Sequence, residues 1–178
     1  TVVIAPSPLQ QEMIKGLAER AEAIRNGGVD PQIDNMLRIT NDGRKLALDM
    51  RLVQPMAPDD PNGKVASCAQ IVFRIWEQPQ EKHCAQLVFC DLSTPKKDGS
   101  FNVYDDLKQK LMDKGVPEEE IAYIHNANTE AKKKELFARV RSGQVRVLIG
   151  STQKMGAGTN CQDKLIALHD VDCRATRS

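Results

Sequence analysis

The chain has 178 residues, of which 40% are hydrophobic and 28% charged, and its formal net charge is +1 at pH 7. This balance is that of an ordinary globular protein, long enough to bury its own core. A net charge near zero excludes bulk electrostatics as the source of affinity for a polyanion, so any such affinity must come from a local patch. No apolar stretch approaches the length of about 18 residues that marks a membrane span, and the opening TVVIAPSP is not a signal peptide.

The first third of the sequence is predicted to be helical. Apolar residues recur on one helical face over residues 9–28, and a second periodic stretch covers residues 36–53. Three prolines and a glycine make residues 54–63 a loop. We therefore predict a helical extension over residues 1–60, followed by a second domain over residues 61–178.

Beyond the loop, helical and strand patterns alternate. Helical patterns cover residues 67–78, 103–115 and the stretch from Thr129, a candidate cap, to Gly143. Short apolar runs predict strands at residues 85–90, 121–125, 145–150 and 165–171. Strand and helix in alternation predict an α/β fold with a largely parallel sheet flanked by helices. Ligands of such sheets bind at the carboxyl ends of the strands, where the loop after the third strand lies.

That loop, LIGSTQKMGAGTN, has a composition that suits a phosphate group. Gly156 and Gly158 let a ligand approach the main chain, Ser151 and Thr152 add hydroxyl donors, and Lys154 adds a positive charge. The chain contains neither the Walker A string G-x-x-x-x-G-K-[ST] nor the dinucleotide string G-x-G-x-x-G. A plain turn between a strand and a helix is the simpler interpretation of the same loop.

Basic residues concentrate just before and within this loop. Residues 132–154 contain seven Lys and Arg against one Glu, a local balance of +6 in a nearly neutral chain. Such a stretch suits a polyanion that is held through its phosphates, although a solvated helix face has the same composition. No ladder of aromatic residues indicates base stacking, so any nucleic acid would be contacted through its backbone.

The cysteines and histidines indicate the redox compartment of the protein and do not indicate a catalytic or metal site. The chain has five cysteines, an odd number, and no C-x-x-C pair, which favours reduced, mostly structural thiols and a cytoplasmic protein. The three histidines are scattered along the sequence and do not form a spacing typical of zinc ligands. We assign no metal site.

Three segments follow one another along the chain: NGKVASCAQIVFRIW, then AQLVFCDLSTP, then IAYIHNANTEAKKKELFARVRSGQVRVLIGSTQKMGAGTNCQDKLIALHDVD. Their order and spacing resemble the second ATPase lobe of superfamily 2 helicases and translocases, especially the Snf-type branch found in large bacterial helicase and DNA methyltransferase proteins. The resemblance covers nearly the whole chain and is best over residues 62–172. It implies a RecA-like three-layer sandwich, with the helical extension packing on the lobe and GSTQKMGAGTN as motif V.

The resemblance also implies roles for individual residues. Gly156, Gly158 and Asn160 would lie toward the nucleotide, with Asn160 near the ribose. The residues that would contact a nucleic-acid phosphate are Ser93, Thr94, Asn128, Thr129, Lys132, Lys133, Ser151 and Thr152. Asp91 falls in the same motif IV segment as Ser93. The simpler interpretation makes Ser93 and Thr129 helix caps and Asp91 the closure of a turn.

The sequence also departs from this family. Motif VI, the string Q-x-x-G-R-x-x-R, does not occur before Ser178, and neither Walker A nor the acidic Mg²⁺ motif is present. The resemblance therefore implies one motor lobe, truncated before motif VI, with no catalytic residue of its own. In the complete protein it would work with the first ATPase lobe of the same chain, with ATP and Mg²⁺, and with duplex DNA. We expect the isolated chain to be inactive as an ATP hydrolase and to bind no cofactor tightly.

Two functions of other classes stay open at this point. A small-molecule enzyme of the methyltransferase or dehydrogenase kind shares the sheet and a glycine loop, but its fingerprint would follow the first strand, where DLSTPKKDGS stands instead. A protein-interaction scaffold would dock a partner through the apolar face of residues 9–24 and use the sheet only as a support.

Overall fold

The computed structural model of the chain describes residues 1–78, 83–155 and 164–172. The chain divides into two compact units, Thr1–Lys64 and Val65–Ser178. No helix within the described residues is long and apolar enough to cross a membrane.

The first unit contains helix α1 (Pro8–Arg25), helix α2 (Met36–Leu48) and a 3-10 turn (Met50–Leu52). Helix α1 begins where the Oγ of Ser7 accepts a hydrogen bond from the backbone N–H of Gln10, with a proline at its first position. One apolar cluster forms the core of this unit; its members are Leu9, Met13, Leu17, Leu46, Met50, Val53 and Ala57. The apolar face of α1 is thus used largely inside its own unit.

In the second unit, which begins within helix α3, strands and helices alternate along the chain, as the sequence predicts. The helices are α3 (Lys64–Glu77), α4 (Val103–Asp113), α5 (Glu130–Ser142) and α6 (Thr152–Met155), with 3-10 turns at Glu118–Glu120 and Ile124–Asn126. The strands are β1 (Ala85–Phe89), β2 (Ile121–Tyr123), β3 (Val147–Gly150) and β4 (Leu165–Asp170). Strand β2 is shorter than its apolar run because a 3-10 turn begins at Ile124.

The strands described in the structure form one sheet in the order β2-β3-β1-β4, and every pairing is parallel. Helix α5 covers one face, where Phe137 and Val140 join Leu87 and Leu148 in a buried cluster. Side chains alternate across a strand, so Gln86 points to the opposite face, where its Nε2 donates a hydrogen bond to the carbonyl of Val72 in α3 (2.9 Å). The predicted α/β fold is confirmed: a parallel sheet between helices, in a RecA-like three-layer sandwich.

The strand order determines where a site can form. In the order β2-β3-β1-β4, the chain goes from β1 towards one edge of the sheet to reach β2, and from β3 towards the opposite edge to reach β4. Adjacent strands whose connections leave in opposite directions form a switch point, and ligands of open α/β sheets bind beside it at the carboxyl ends of the strands. The loops after β1 and β3 meet at this place.

Candidate functional site

Asp91 joins the loops that leave β1 and β3. Its Oδ1 accepts a hydrogen bond from the backbone N–H of Thr152 (2.7 Å), and its Oδ2 accepts one from the Thr152 hydroxyl (2.9 Å). Hydrogen bonds to an ionised carboxylate are stronger than neutral ones, and two together fix orientation as well as distance. Both donors of Thr152, which the family resemblance assigns to a nucleic-acid phosphate, therefore point at Asp91 in this structure.

Asp172, just past the end of β4, holds the same loop from the other side. Its side chain is buried, and its Oδ2 accepts hydrogen bonds from the backbone N–H groups of Asp91 (2.8 Å) and Leu92 (2.6 Å). Burial raises the pKa of Asp172 and the nearby charge of Asp91 adds to this, while the two backbone donors oppose it. Sequence analysis assigned no role to Asp172, although a polar residue directly after a predicted strand was a signal for the carboxyl edge.

The remaining motif IV residues lie in the loop between β1 and α4. Ser93 is buried, and its Oγ accepts a hydrogen bond from the backbone N–H of Val103 (2.9 Å) at the start of α4. Thr94 is half-buried beside it. The hydroxyl of Tyr104 donates to the carbonyl of Cys90 (2.8 Å), which ties α4 to the end of β1. Ser93 thus binds the first N–H of α4, while the N-cap residue of that helix is Asn102, whose Oδ1 accepts the backbone N–H of Asp105 (2.9 Å).

The turn after β3 is tightly closed. Ser151 is buried, and its Oγ accepts a long hydrogen bond (3.4 Å) from the backbone N–H of Lys154. Its carbonyl accepts the backbone N–H of Met155 (3.0 Å), which forms the single turn of α6. The predicted nucleotide-facing residues, Gly156, Gly158 and Asn160, lie outside the described residues.

The start of α5 presents a second group of predicted residues. Thr129 caps the helix, and its Oγ1 accepts the backbone N–H of Lys132 (3.2 Å). Asn128, Thr129 and Lys132 are exposed, whereas Lys133 is half-buried and forms an ion pair with Glu130 (3.1 Å). Helix α5 has 13 residues, so its first turn offers unpaired N–H groups and a positive dipole end to an anion.

His125 lies just after β2 and has a buried ring nitrogen. Its Nδ1 is buried and has no hydrogen-bond partner among the described residues. The ring packs edge-to-face on Tyr104, with centroids 5.2 Å apart. Burial, together with the positive charge of Lys154, lowers the pKa of His125. His125 is the last residue of the strand predicted over residues 121–125, and sequence analysis gave it no role.

One arginine of the basic stretch counted over residues 132–154 does not lie on the surface. Arg146 is buried at the amino end of β3, where its guanidinium donates to the carbonyl of Trp76 (2.8 Å) and lies 5.2 Å from the centre of the Trp76 ring. Glu120 accepts the Trp76 indole N–H (2.6 Å) and lies 3.8 Å from Arg146. Arg146 therefore stabilises the opposite end of the sheet and contributes nothing to an exposed basic patch.

No known family model matches the sequence, and a comparison with curated proteins likewise gives no match. The residues and contacts described above are therefore the support for any function.

Proposed function

We propose that this chain is the second motor lobe of an ATP-dependent DNA helicase or translocase of superfamily 2, of the Snf type. In that role it contributes a grip on the nucleic-acid backbone and one wall of the ATP cleft between two lobes. The observation that carries the proposal is the pair of Asp91–Thr152 hydrogen bonds at the switch point of the sheet. They join the two loops in which the motif IV and motif V residues of that family fall.

The exposed start of α5 is the best-supported place for a first contact with DNA. Thr152 already donates to Asp91, whereas Asn128 and Lys132 face solvent beside free N–H groups of a helix N-terminus. Contacts of this kind are made to phosphates and carry little sequence preference. The proposed partner is duplex DNA, held through its backbone and more weakly as salt rises.

ATP and Mg²⁺ belong to the complete protein in this proposal. Gly156, Gly158 and Asn160 would face the nucleotide, while the first ATPase lobe would supply the phosphate-binding loop and the metal ligands. Closure of the two lobes over ATP and their opening after hydrolysis would alternate the grip on DNA. The chain alone would not hydrolyse ATP. Among the described residues Cys68, Cys84 and Cys90 are free thiols, which fits a cytoplasmic protein.

The test is DNA-stimulated ATP hydrolysis by the complete protein as a function of salt. Lys132→Gln combined with Lys133→Gln should raise the DNA concentration for half-maximal stimulation and reduce the salt slope by about 1.8, since each lost phosphate contact removes about 0.9. Lys15→Gln combined with Arg25→Gln removes the same charge from exposed positions of α1 and serves as the control. Equal effects of the two double variants would overturn the proposed grip.

The nucleotide side needs its own variant. Gly158→Val combined with Asn160→Ala should abolish the stimulated rate if these residues face ATP. A rate that DNA does not stimulate in the unmodified protein, and that this variant leaves unchanged, would contradict the motor function as a whole.

A protein-interaction scaffold is the second candidate, favoured by large apolar side chains exposed on the first unit. Ile33, Leu37 and Met56 are 71%, 79% and 90% exposed. The predicted docking face over residues 9–24 gives less support, because Leu9, Met13 and Leu17 pack into the core of that unit. If this candidate is right, Leu37→Glu should disrupt a stable protein complex, and the unmodified complete protein should show no ATP hydrolysis that DNA stimulates.

A further inference from the structure

Three strand ends are connected by one continuous series of side-chain hydrogen bonds. Asp172, after β4, accepts the backbone N–H groups of Asp91 and Leu92, and the Asp91 carboxylate in turn accepts both donors of Thr152, after β3. We call Asp172, Asp91 and Thr152 the carboxylate relay. Its members are far apart in sequence, and each link crosses between neighbouring strands of the sheet.

The two links are mechanically in series. Asp172 fixes the peptide N–H of Asp91 itself, so it sets the position from which the Asp91 side chain leaves the backbone. Asp172 is only 7% exposed, so little water reaches it to replace a lost link. No hydrogen bond described between Asp172 and Thr152 bypasses Asp91.

We propose that Asp91 and Asp172 are positioning residues that couple the segment following β4 to the turn following β3. A displacement of Asp172 releases the peptide of Asp91, and Asp91 then loses its alignment with Thr152. The functional meaning of this coupling rests on the proposed motor function, in which the turn after β3 is motif V and the segment after β4 leads toward motif VI. The coupling itself is a property of this chain and is measurable without DNA or ATP.

The two carboxylates differ in what they require of a replacement. Asp91 uses one oxygen for the backbone N–H of Thr152 and the other for its hydroxyl. An Asn at this position keeps one acceptor and places an amide N–H against the hydroxyl, which must then accept instead of donate, and the negative charge is lost. Asp172 uses a single oxygen for both backbone donors, so an Asn can keep both bonds without the charge. The relay therefore predicts rescue by Asn at position 172, whereas Asn at position 91 replaces both charge-assisted hydrogen bonds by neutral ones and requires the Thr152 hydroxyl to reverse its role.

The experiment is amide hydrogen exchange by NMR on the whole chain, with two matched reporters. The N–H of Thr152 binds the side chain of Asp91, and the N–H of Lys132 binds the side chain of Thr129, which lies outside the relay. Asp172→Ala should speed exchange at Thr152 at least tenfold and leave Lys132 unchanged, while Asp172→Asn should stay close to wild type. Asp91→Ala and the Asp91→Ala/Asp172→Ala double variant should show the same exchange rate at Thr152, because the links are in series.

Two results would overturn the relay. If Asp172→Ala leaves the exchange rate of the Thr152 amide unchanged, the two links act independently of each other. If the amides of Thr152 and Lys132 are accelerated equally, the substitution destabilises the whole chain. The motor function is tested separately in the complete protein, where Asp172→Ala should lower the ratio of DNA-stimulated to basal ATP hydrolysis more than Asp172→Asn does. A coupled exchange response in a protein whose ATP hydrolysis ignores DNA would keep the relay and reject the motor.

Discussion

Gly150 ends strand β3 at a point where two buried side chains close over it. A Cβ atom built at this residue would lie 2.5 Å from Cγ2 of Ile124, 2.6 Å from Cγ of Met155 and 2.7 Å from its sulfur. Real Cβ contacts essentially never fall below 3.0 Å, so Gly150→Ala forces a neighbour to move. Alanine adds one methyl group here and changes nothing else, so the substitution measures how closely the turn after β3 is packed.

The expected cost follows from which neighbour can yield. Ile124 is fully buried and its β-branched side chain has few rotamers, whereas Met155 is flexible but only 1% exposed. Inserting a methyl group into such a site typically costs about 1–3 kcal/mol through shifted side chains and backbone. Helix α6 begins two residues after Gly150, so we expect part of that shift to move Thr152 relative to Asp91.

Urea unfolding followed by the fluorescence of Trp76, the single tryptophan, reports on the second unit. We expect Gly150→Ala to lower the free energy of unfolding by about 2 kcal/mol at an unchanged m-value. Gly16→Ala is the matched control: it lies within α1 with no atom within 4 Å of the added Cβ, and should raise stability by about 0.5–1 kcal/mol, measured by circular dichroism.

A double-mutant cycle then tests the stated cause. Met155→Ala alone should cost about 2–5 kcal/mol as a buried large-to-small change. Measured against that variant, the added Gly150→Ala change should cost less than it does in the wild type, because two of the three close contacts are gone. Wild-type stability of Gly150→Ala, or a cost that Met155→Ala leaves unaltered, would refute this account of the packing.

Three further predictions concern thiols, pH and capping. Burial raises the pKa of the Cys68 and Cys90 thiols to about 12, so a pulse of iodoacetamide at pH 8 should leave both unlabelled in the folded chain and label both in urea, as read by mass spectrometry. Burial lowers the pKa of His169, so its imidazole binds a proton more readily in the unfolded chain than in the folded one. The free energy of unfolding should therefore fall as the pH drops below about 6.5, and it should fall less steeply in His169→Gln. Thr129→Ala should cost about 0.5–2 kcal/mol and expose the amide of Lys132 to exchange, whereas Thr129→Ser should keep the cap.

The alternation of periodic helices and short apolar runs was enough to predict the parallel sheet. A run such as AQLVF has no solvent-exposed face because both sides of β1 are covered, Gln86 included, and such a run is visible in one segment at a time. The order of the strands is not visible in that way. Residues as distant as Asp91 and Asp172 meet only because β4 lies beside β1, and no local pattern encodes that pairing. Asp172 was missed for this reason.

Counting charges along the sequence overstated the basic stretch by one residue for a related reason. Arg146 belongs to the basic stretch by position, but it starts a buried strand and its guanidinium is stacked near Trp76 and bonded to a main-chain carbonyl. A long side chain can bury its stem and satisfy its donors inside the protein, so its charge need not reach the surface. Ser93 shows the same ambiguity for a hydroxyl group. Its Oγ can accept a hydrogen bond from a helix N–H or donate one to a phosphate oxygen, and the sequence does not distinguish the two.

The sheet order also explains why the relay passes through the loop after β1. Strand β1 pairs with both β3 and β4, so its loop is adjacent to the ends of both neighbours. These loops are joined by side-chain hydrogen bonds, whereas the strands below them are joined by the backbone ladder. Releasing Thr152 from Asp91 therefore costs the net free energy of two charge-assisted hydrogen bonds, about 1.5–3 kcal/mol each, and leaves the sheet intact. A carboxyl edge built in this way can change its contacts at a cost below that of unfolding the sheet, while the core that supports it stays rigid.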